Sequence, residues 1–139
     1  AIMFNSAGKE FYRRGRPIGF LRLNNMTVHQ SCIYRREIFE TKGYDLNYPV
    51  CADYELHCRL YAAGARFKYV PLAIARYLAG GNSDIEWRAR EREIAQIRAR
   101  SFTGGRVMNA VIGVYRPIIE GMKKTFPDTV IYIRSVLRR

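Results

Sequence analysis

Ala52-Asp53-Tyr54-Glu55-Leu56-His57-Cys58-Arg59-Leu60-Tyr61, with Gly64 three residues on, is the stretch from which the rest of the chain can be read. Leu56, Leu60 and Tyr61 recur at helical spacing, which predicts a helix from Asp53 that Gly64 closes. An Asp at that boundary has two readings. Its carboxylate can cap the first turn, a common job for Asp, or it can project from a fixed backbone into a cleft. The two do not exclude each other. Glu55 is expected to face solvent, and His57 to be an ordinary helix residue rather than a ligand.

Outward from this helix, residues 35–42 read as a short helix burying Ile38 and Phe39, with Gly43 at its left-handed cap. Residues 44–49 are rich in turn formers. Residues 1–27 read as a short strand or loop, with a strand expected over 18–23, and the tract 13–22 holds four arginines and no acid. Such a tract faces phosphates or is a solvated loop. Downstream, residues 66–70 and 74–78 read as strands separated by a turn at Pro71. Gly80-Gly81 breaks the second strand, and Ser83-Asp84-Ile85-Glu86 has the form of a capping box. Residues 84–102 are dense in Glu and Arg, which predicts a solvated outer helix laced by ion pairs four residues apart. Gly104-Gly105 ends it and marks an internal boundary. Beyond it Val107, Val111, Val114, Ile118 and Met122 form one helical stripe. Residues 129–139 are β-branched-rich and fit helix or strand.

The bulk properties bound what such a chain can be. Its 139 residues suit one domain or part of one. About half the residues are apolar, enough for a packed core. Nothing in the sequence spans a membrane and no export signal opens it. The first residue is alanine, which suggests an excised or incomplete fragment. Lys plus Arg outnumber Asp plus Glu by 24 to 12, a net +12 that favours anionic partners. Cys32, Cys51 and Cys58 lack metal-site spacing, so buried thiols in a reducing cytoplasm are expected.

Three pieces, in order, carry a resemblance. The first is His29-Gln30, then Ser31-Cys32-Ile33-Tyr34-Arg35-Arg36, leading to Phe39 and Gly43-Tyr44-Asp45. The second is Ala52-Asp53-Tyr54-Glu55-Leu56 with Arg59-Leu60 and Gly64. The third is Phe67-Lys68-Tyr69-Val70-Pro71, then Ile74-Ala75-Arg76-Tyr77 and Gly80-Gly81-Asn82-Ser83. Over residues 24–103 the set resembles the second, acceptor-side half of the catalytic domain in bacterial family-2 glycosyltransferases. The resemblance implies an α/β fold: a partial GT-A mixed sheet with packed helices, and a helical C-terminal extension. It divides the chain into residues 1–103, the C-terminal half of the catalytic domain, and residues 104–139, a basic amphipathic extension. By the same resemblance Asp53 is the base, and Ala52 stands where the family often has Glu. His29, Gln30 and Tyr54 line the cleft, and Gly80, Gly81 and Ser83 belong to a loop that closes over substrate. Tyr54 and Trp87 are aromatic platforms for a sugar, or core residues.

Members of this family carry a nucleotide-binding half ending in a DxD-type motif. The aspartates here are Asp45, Asp53, Asp84 and Asp128, and no DxD occurs. The resemblance therefore implies a divalent cation, Mg or Mn, for the complete enzyme with its ligands outside this chain, and no metal ligand within it. The fragment alone is expected to be inactive. Implied partners are a nucleotide sugar and a glycan or lipid-linked acceptor, with residues 106–139 resting on an anionic membrane surface. The location expected is cytoplasmic, or peripheral on the inner face of the cell membrane. Two competing classes are a basic nucleic-acid-binding module and an inactive glycosyltransferase remnant. Nucleic acid is disfavoured because the arginines are dispersed or set among glutamates and no binding motif occurs. Salt-dependent DNA binding would favour the module, and a donor half encoded upstream the enzyme.

Overall fold

The computed structural model describes residues 1–4, 8–12, 14–41, 43–78 and 86–125. They divide into two compact units, residues 1–105 and 106–139. In the first, strand β1 (Ile2–Phe4) lies between β2 (Glu10–Tyr12) and β3 (Arg76–Leu78). β1 pairs antiparallel with β2, Ile2 opposite Tyr12, and parallel with β3, Ile2 opposite Arg76. The result is a small mixed sheet. Two 3₁₀ turns follow, Ile18–Arg22 and His29–Ser31, and then helices α1 (Arg36–Thr41), α2 (Ala52–Ala62) and α3 (Trp87–Ser101). Helix α4 (Gly105–Thr125) follows.

Three smaller expectations change. The strand expected over 18–23 is a 3₁₀ turn. Its Leu21 is fully buried and its backbone carbonyls turn inward to Tyr54 and Arg98, a geometry that a paired strand does not offer. Residues 66–70 form no strand, and α1 buries none of its residues. Phe39 instead sits in a run of rings, 5.4 Å from Tyr34 and 5.3 Å from Tyr44 between centroids. Edge-on ring contacts hold that short helix where apolar burial does not.

The largest departure is α3. It is not a solvated outer helix. It packs on α2 and buries Glu93, Ile94, Ile97 and Arg98 along one face. The two isoleucines join Leu21, Tyr48, Cys51, Tyr54, Cys58 and Phe102 in the core. The two charges are satisfied by exposed ends of backbone. Glu93 Oε2 accepts the Val50 and Cys51 N–H groups at 3.1 and 2.7 Å, immediately before α2. Arg98 donates to the Arg22 carbonyl at 2.8 Å and to the Leu23 carbonyl, where the first 3₁₀ turn ends. A helix start leaves N–H groups without partners, and a turn's end leaves carbonyls, so α3 supplies each with the opposite charge.

Glycine matters at the end of this helix. Gly104 has φ +76°, and a Cβ on Gly105 would lie 2.1 Å from the Arg98 carbonyl oxygen. Helix α4 in the second unit presents Val107, Val111, Val114 and Ile118 as exposed side chains, with Pro117 inside it. Pro117 has no N–H for the Gly113 carbonyl one turn earlier.

Replacing Glu93 by Ala strips the charge from two backbone donors at a buried point. Urea denaturation is expected to show a loss of about 1.5–3 kcal/mol, the range for hydrogen bonds to charged groups. A change below about 0.5 kcal/mol, as for an ordinary surface site, would show that the α2 start does not depend on Glu93.

Candidate functional site

Asp53 occupies the second position of α2, behind the backbone that Glu93 fixes. The residue preceding the helix, Cys51, makes no side-chain cap bond. Asp53 supplies one: its Oδ1 accepts the Tyr54 N–H at 2.7 Å. Its other oxygen, Oδ2, accepts the Asn25 amide Nδ2 at 2.7 Å and lies 3.6 Å from His29 Nδ1. The Asp53 side chain is 23% exposed and that of His29 is 53% exposed. One oxygen thus serves the helix, while the other faces a polar group that includes a solvent-accessible imidazole.

Asn25 continues inward. Its Oδ1 is 2.9 Å from His57 Nδ1, and His57 Nε2 is 2.6 Å from the Tyr34 hydroxyl. Asn25 has only its amide NH₂ to offer Asp53, so its oxygen must face His57 as an acceptor. His57 then carries its proton on Nδ1, leaving Nε2 to accept from Tyr34. Burial holds the His57 pKa below its usual value and raises that of Tyr34, so both remain neutral in these roles. The chain of donors runs one way: Tyr34 to His57 to Asn25 to Asp53. The tyrosine and histidine rings also stack at 5.8 Å.

His29 and Gln30 both lie exposed on the second 3₁₀ turn, and Ala52 is half-buried at the start of α2. Tyr54 is 1% exposed, and its hydroxyl donates to the Leu21 carbonyl at 2.6 Å. Its ring is therefore core and has no face to offer a sugar. Gly80, Gly81 and Ser83 lie outside the described residues. Trp87 is half-exposed under the Arg88 guanidinium. Glu55 does not face solvent: it is buried and paired with Arg59 at 2.8 Å, which also donates to the Gly43 carbonyl. Asn25, Tyr34 and His57 were not singled out as site residues by sequence reasoning. Asn25 and Tyr34 stand 32 and 23 residues from His57 along the chain, so no spacing rule links them.

The three cysteines are free. Burial pushes the Cys51 and Cys58 thiols up to about 12, too high for a thiolate nucleophile near neutrality. Among the described residues no three His, Cys, Asp or Glu side chains gather as a metal set. No family model, curated protein or solved structure matches the chain.

Because its folded pKa lies below the ordinary value of 6.5, His57 takes up a proton more readily in the unfolded chain. Its neutral form is therefore fully accommodated above that value, and stability falls as pH drops through 6.5 towards the lower folded pKa. Urea titrations between pH 7.5 and 5.5 should show this fall, with a slope of at most about 1.4 kcal/mol per pH unit. The chain's only other histidine is His29, so the comparison belongs in a His29→Asn background. There His57→Gln should flatten the slope, and equal slopes would remove His57 as its source.

Proposed function

We propose that this chain is the acceptor-side half of an inverting glycosyltransferase of the family-2, GT-A type, with Asp53 as general base. The observation that carries the reading is the Asp53 carboxylate. It is anchored to the helix by one oxygen and held by Asn25 through the other, with an exposed imidazole beside it. A carboxylate so held keeps its orientation while remaining within reach of a ligand, as a base for proton transfer requires.

In the reaction, the acceptor hydroxyl oxygen bonds to the anomeric carbon of a nucleotide-diphosphate sugar from the side opposite the leaving group. The bond from that carbon to the diphosphate oxygen breaks, and the diphosphate leaves with the electron pair. The hydroxyl proton passes to Asp53. His29, and Gln30 on the same turn, are placed to hydrogen-bond a sugar or diphosphate oxygen. In a complete enzyme, a nucleotide-binding half with its Mg or Mn ion would supply the charge that steadies the leaving group.

In a protein that joins this chain to a nucleotide-binding half, Asp53→Asn should retain the fold and donor binding. It should lose about 10²–10⁴-fold in transfer, because an amide cannot take the proton. Near-normal turnover by the folded variant would remove Asp53 from the role.

A second element of the proposal is peripheral attachment to the inner face of the cell membrane through residues 106–139. Seven Lys or Arg stand there against Glu120 and Asp128, a net of +5. Helix α4 bears the exposed Val107, Val111, Val114 and Ile118, and no helix among the described residues is long and apolar enough to cross a membrane. An apolar stripe with basic neighbours suits a helix lying in an anionic interface, and each cation near it adds about 1 kcal/mol. Co-sedimentation with vesicles containing phosphatidylserine should fall in a salt-sensitive way when residues 106–139 are removed. Equal sedimentation of both forms would sink the attachment.

A further inference from the structure

A basic cleft of about 1370 Å³ opens in the first unit, with Tyr34 and His57 in its wall and Asp53 outside it. One side of it is made by residues 66–74. All of these are exposed except the half-buried Phe67, and they form no strand. Backbone pairing stops at either end of the tract. The Ala65 N–H donates to the Leu60 carbonyl, and the Ala75 carbonyl accepts the Ile2 N–H. Between those two bonds, residues 66–74 pair with no backbone group among the described residues. The tract nevertheless leaves Tyr69, Val70, Leu72 and Ile74 exposed at 62, 51, 68 and 50%. It also leads directly into β3, an outer strand of the sheet. Open backbone beside large apolar side chains is what an unprotected sheet edge presents.

The charge along this edge has one sign. Gly15 brings residues 12–18 against the tract, since a Cβ there would lie 3.2 Å from the Tyr69 ring. That approach sets Arg14 and Arg16 on the same cleft as Arg66 and Lys68, and Arg35 lines it as well. No carboxylate lines the cleft among the described residues. Within the tract, cations alternate with rings: Arg66, Phe67, Lys68, Tyr69. The rings lie against the body of the unit, Phe67 at 6.4 Å from His57 between centroids and Tyr69 beside Gly15. In a paired strand that alternation puts Arg66 and Lys68 on one face, where acidic side chains opposite them are favourable.

Open backbone and one-sided charge together select the occupant. A hydrocarbon surface would strip water from the N–H and C=O groups and return no hydrogen bond. A nucleic acid offers phosphate oxygens to the cations but no donors in step with the carbonyls. A second copy of this chain carries the same net +12 and is repelled. A polypeptide strand supplies donors and acceptors at the same rise per residue. Pro71 has no N–H to give and ends such a ladder, which leaves residues 66–70 to form it. We propose that residues 66–70 are a docking edge for an acidic strand of another protein, which pairs backbone to backbone with its carboxylates on Arg66 and Lys68 and its apolar side chains against Val70 and Leu72. The site does not depend on glycosyl transfer, and Asp53 takes no part in it.

The test uses chain 1–139 and a labelled, end-blocked peptide, Glu-Val-Glu-Val-Glu-Val, followed by fluorescence anisotropy at two salt concentrations. The peptide should bind saturably below about 100 μM, and more weakly at the higher salt. Two further forms, N-methylated at the odd or at the even positions, keep every side chain and every charge. Only one set of N–H groups faces the partner in a ladder, so the two should differ by about tenfold. Amides within residues 66–70 should gain protection from hydrogen exchange when the unmethylated peptide binds. Arg66→Glu with Lys68→Glu, both exposed positions, should keep the helical circular dichroism. That variant should bind the Glu peptide about tenfold more weakly and prefer the same peptide with Lys in place of Glu. No saturable binding, equal affinity of the two methylated forms, or no protection over residues 66–70 would each overturn the proposal. So would an unchanged charge preference in the folded double variant. An oligouridylate that binds as tightly and protects the same amides would overturn the strand as occupant, as would displacement of the peptide by phosphatidylserine vesicles.

Discussion

The Glu93 carboxylate meets the Val50 and Cys51 N–H groups at the start of α2, and much of the first unit is arranged around that contact. A helix start of this kind needs negative charge, and its own preceding residue is a cysteine with no cap bond to give. Taking the charge from another helix couples two things. It completes α2, and it fixes the distance and rotation of α3 against it, so that Ile94 and Ile97 reach the core with Tyr54 and Cys58. Arg98, one turn further along α3, does the same for the end of the first 3₁₀ turn. Asn25 follows only three residues after that turn, so the group that holds Asp53 is set by both buried charges.

Within that frame, the hydrogen bonds from Tyr34 to Asp53 run in one direction because each partner has only one way to serve both neighbours. Reversing the Asn25 amide would set N–H against N–H at His57 and oxygen against oxygen at Asp53. Burial keeps His57 neutral, and neutrality is what lets its two nitrogens act as one donor and one acceptor. The inner end of the chain touches the basic cleft and the outer end reaches a half-buried carboxylate. The two regions thus share a rigid polar connection while differing in charge and in exposure.

Much of this frame could be read from the sequence where local rules decide. The helix after Ala52, its stop at Gly64 with φ +76°, and the cap at Gly43 with φ +39° follow from spacing and from glycine's tolerance of left-handed backbone. Asp53 was singled out as a base by the family resemblance, since its place at the junction of loop and helix reads equally as a cap. What was not legible depends on contacts through space. Residues 84–102 read as solvated because Glu and Arg normally are, and nothing local reveals that Glu93 and Arg98 face backbone ends 42 and 75 residues away. Residues 18–23 suggested a strand, yet the buried Leu21 belongs to a tight turn whose carbonyls are claimed by distant donors. Tyr54 shows both sides: an aromatic beside the aspartate invites a stacking role, and its helical register buries it instead.

Gly105 has a carbonyl where any other residue's side chain would begin, whereas around Gly113 there is open space. Two glycines about two turns apart in one helix are thus under opposite constraint, and the same division runs through the whole chain. Asn25, Asp53, His57, Glu93, Arg98 and Gly105 each occupy a place that few or no other residues fill, and the segments between them are far freer to change. A distant relative could lose nearly all overall similarity and keep those six in order. Their sequence of identities is a fingerprint by which kinship would outlast drift.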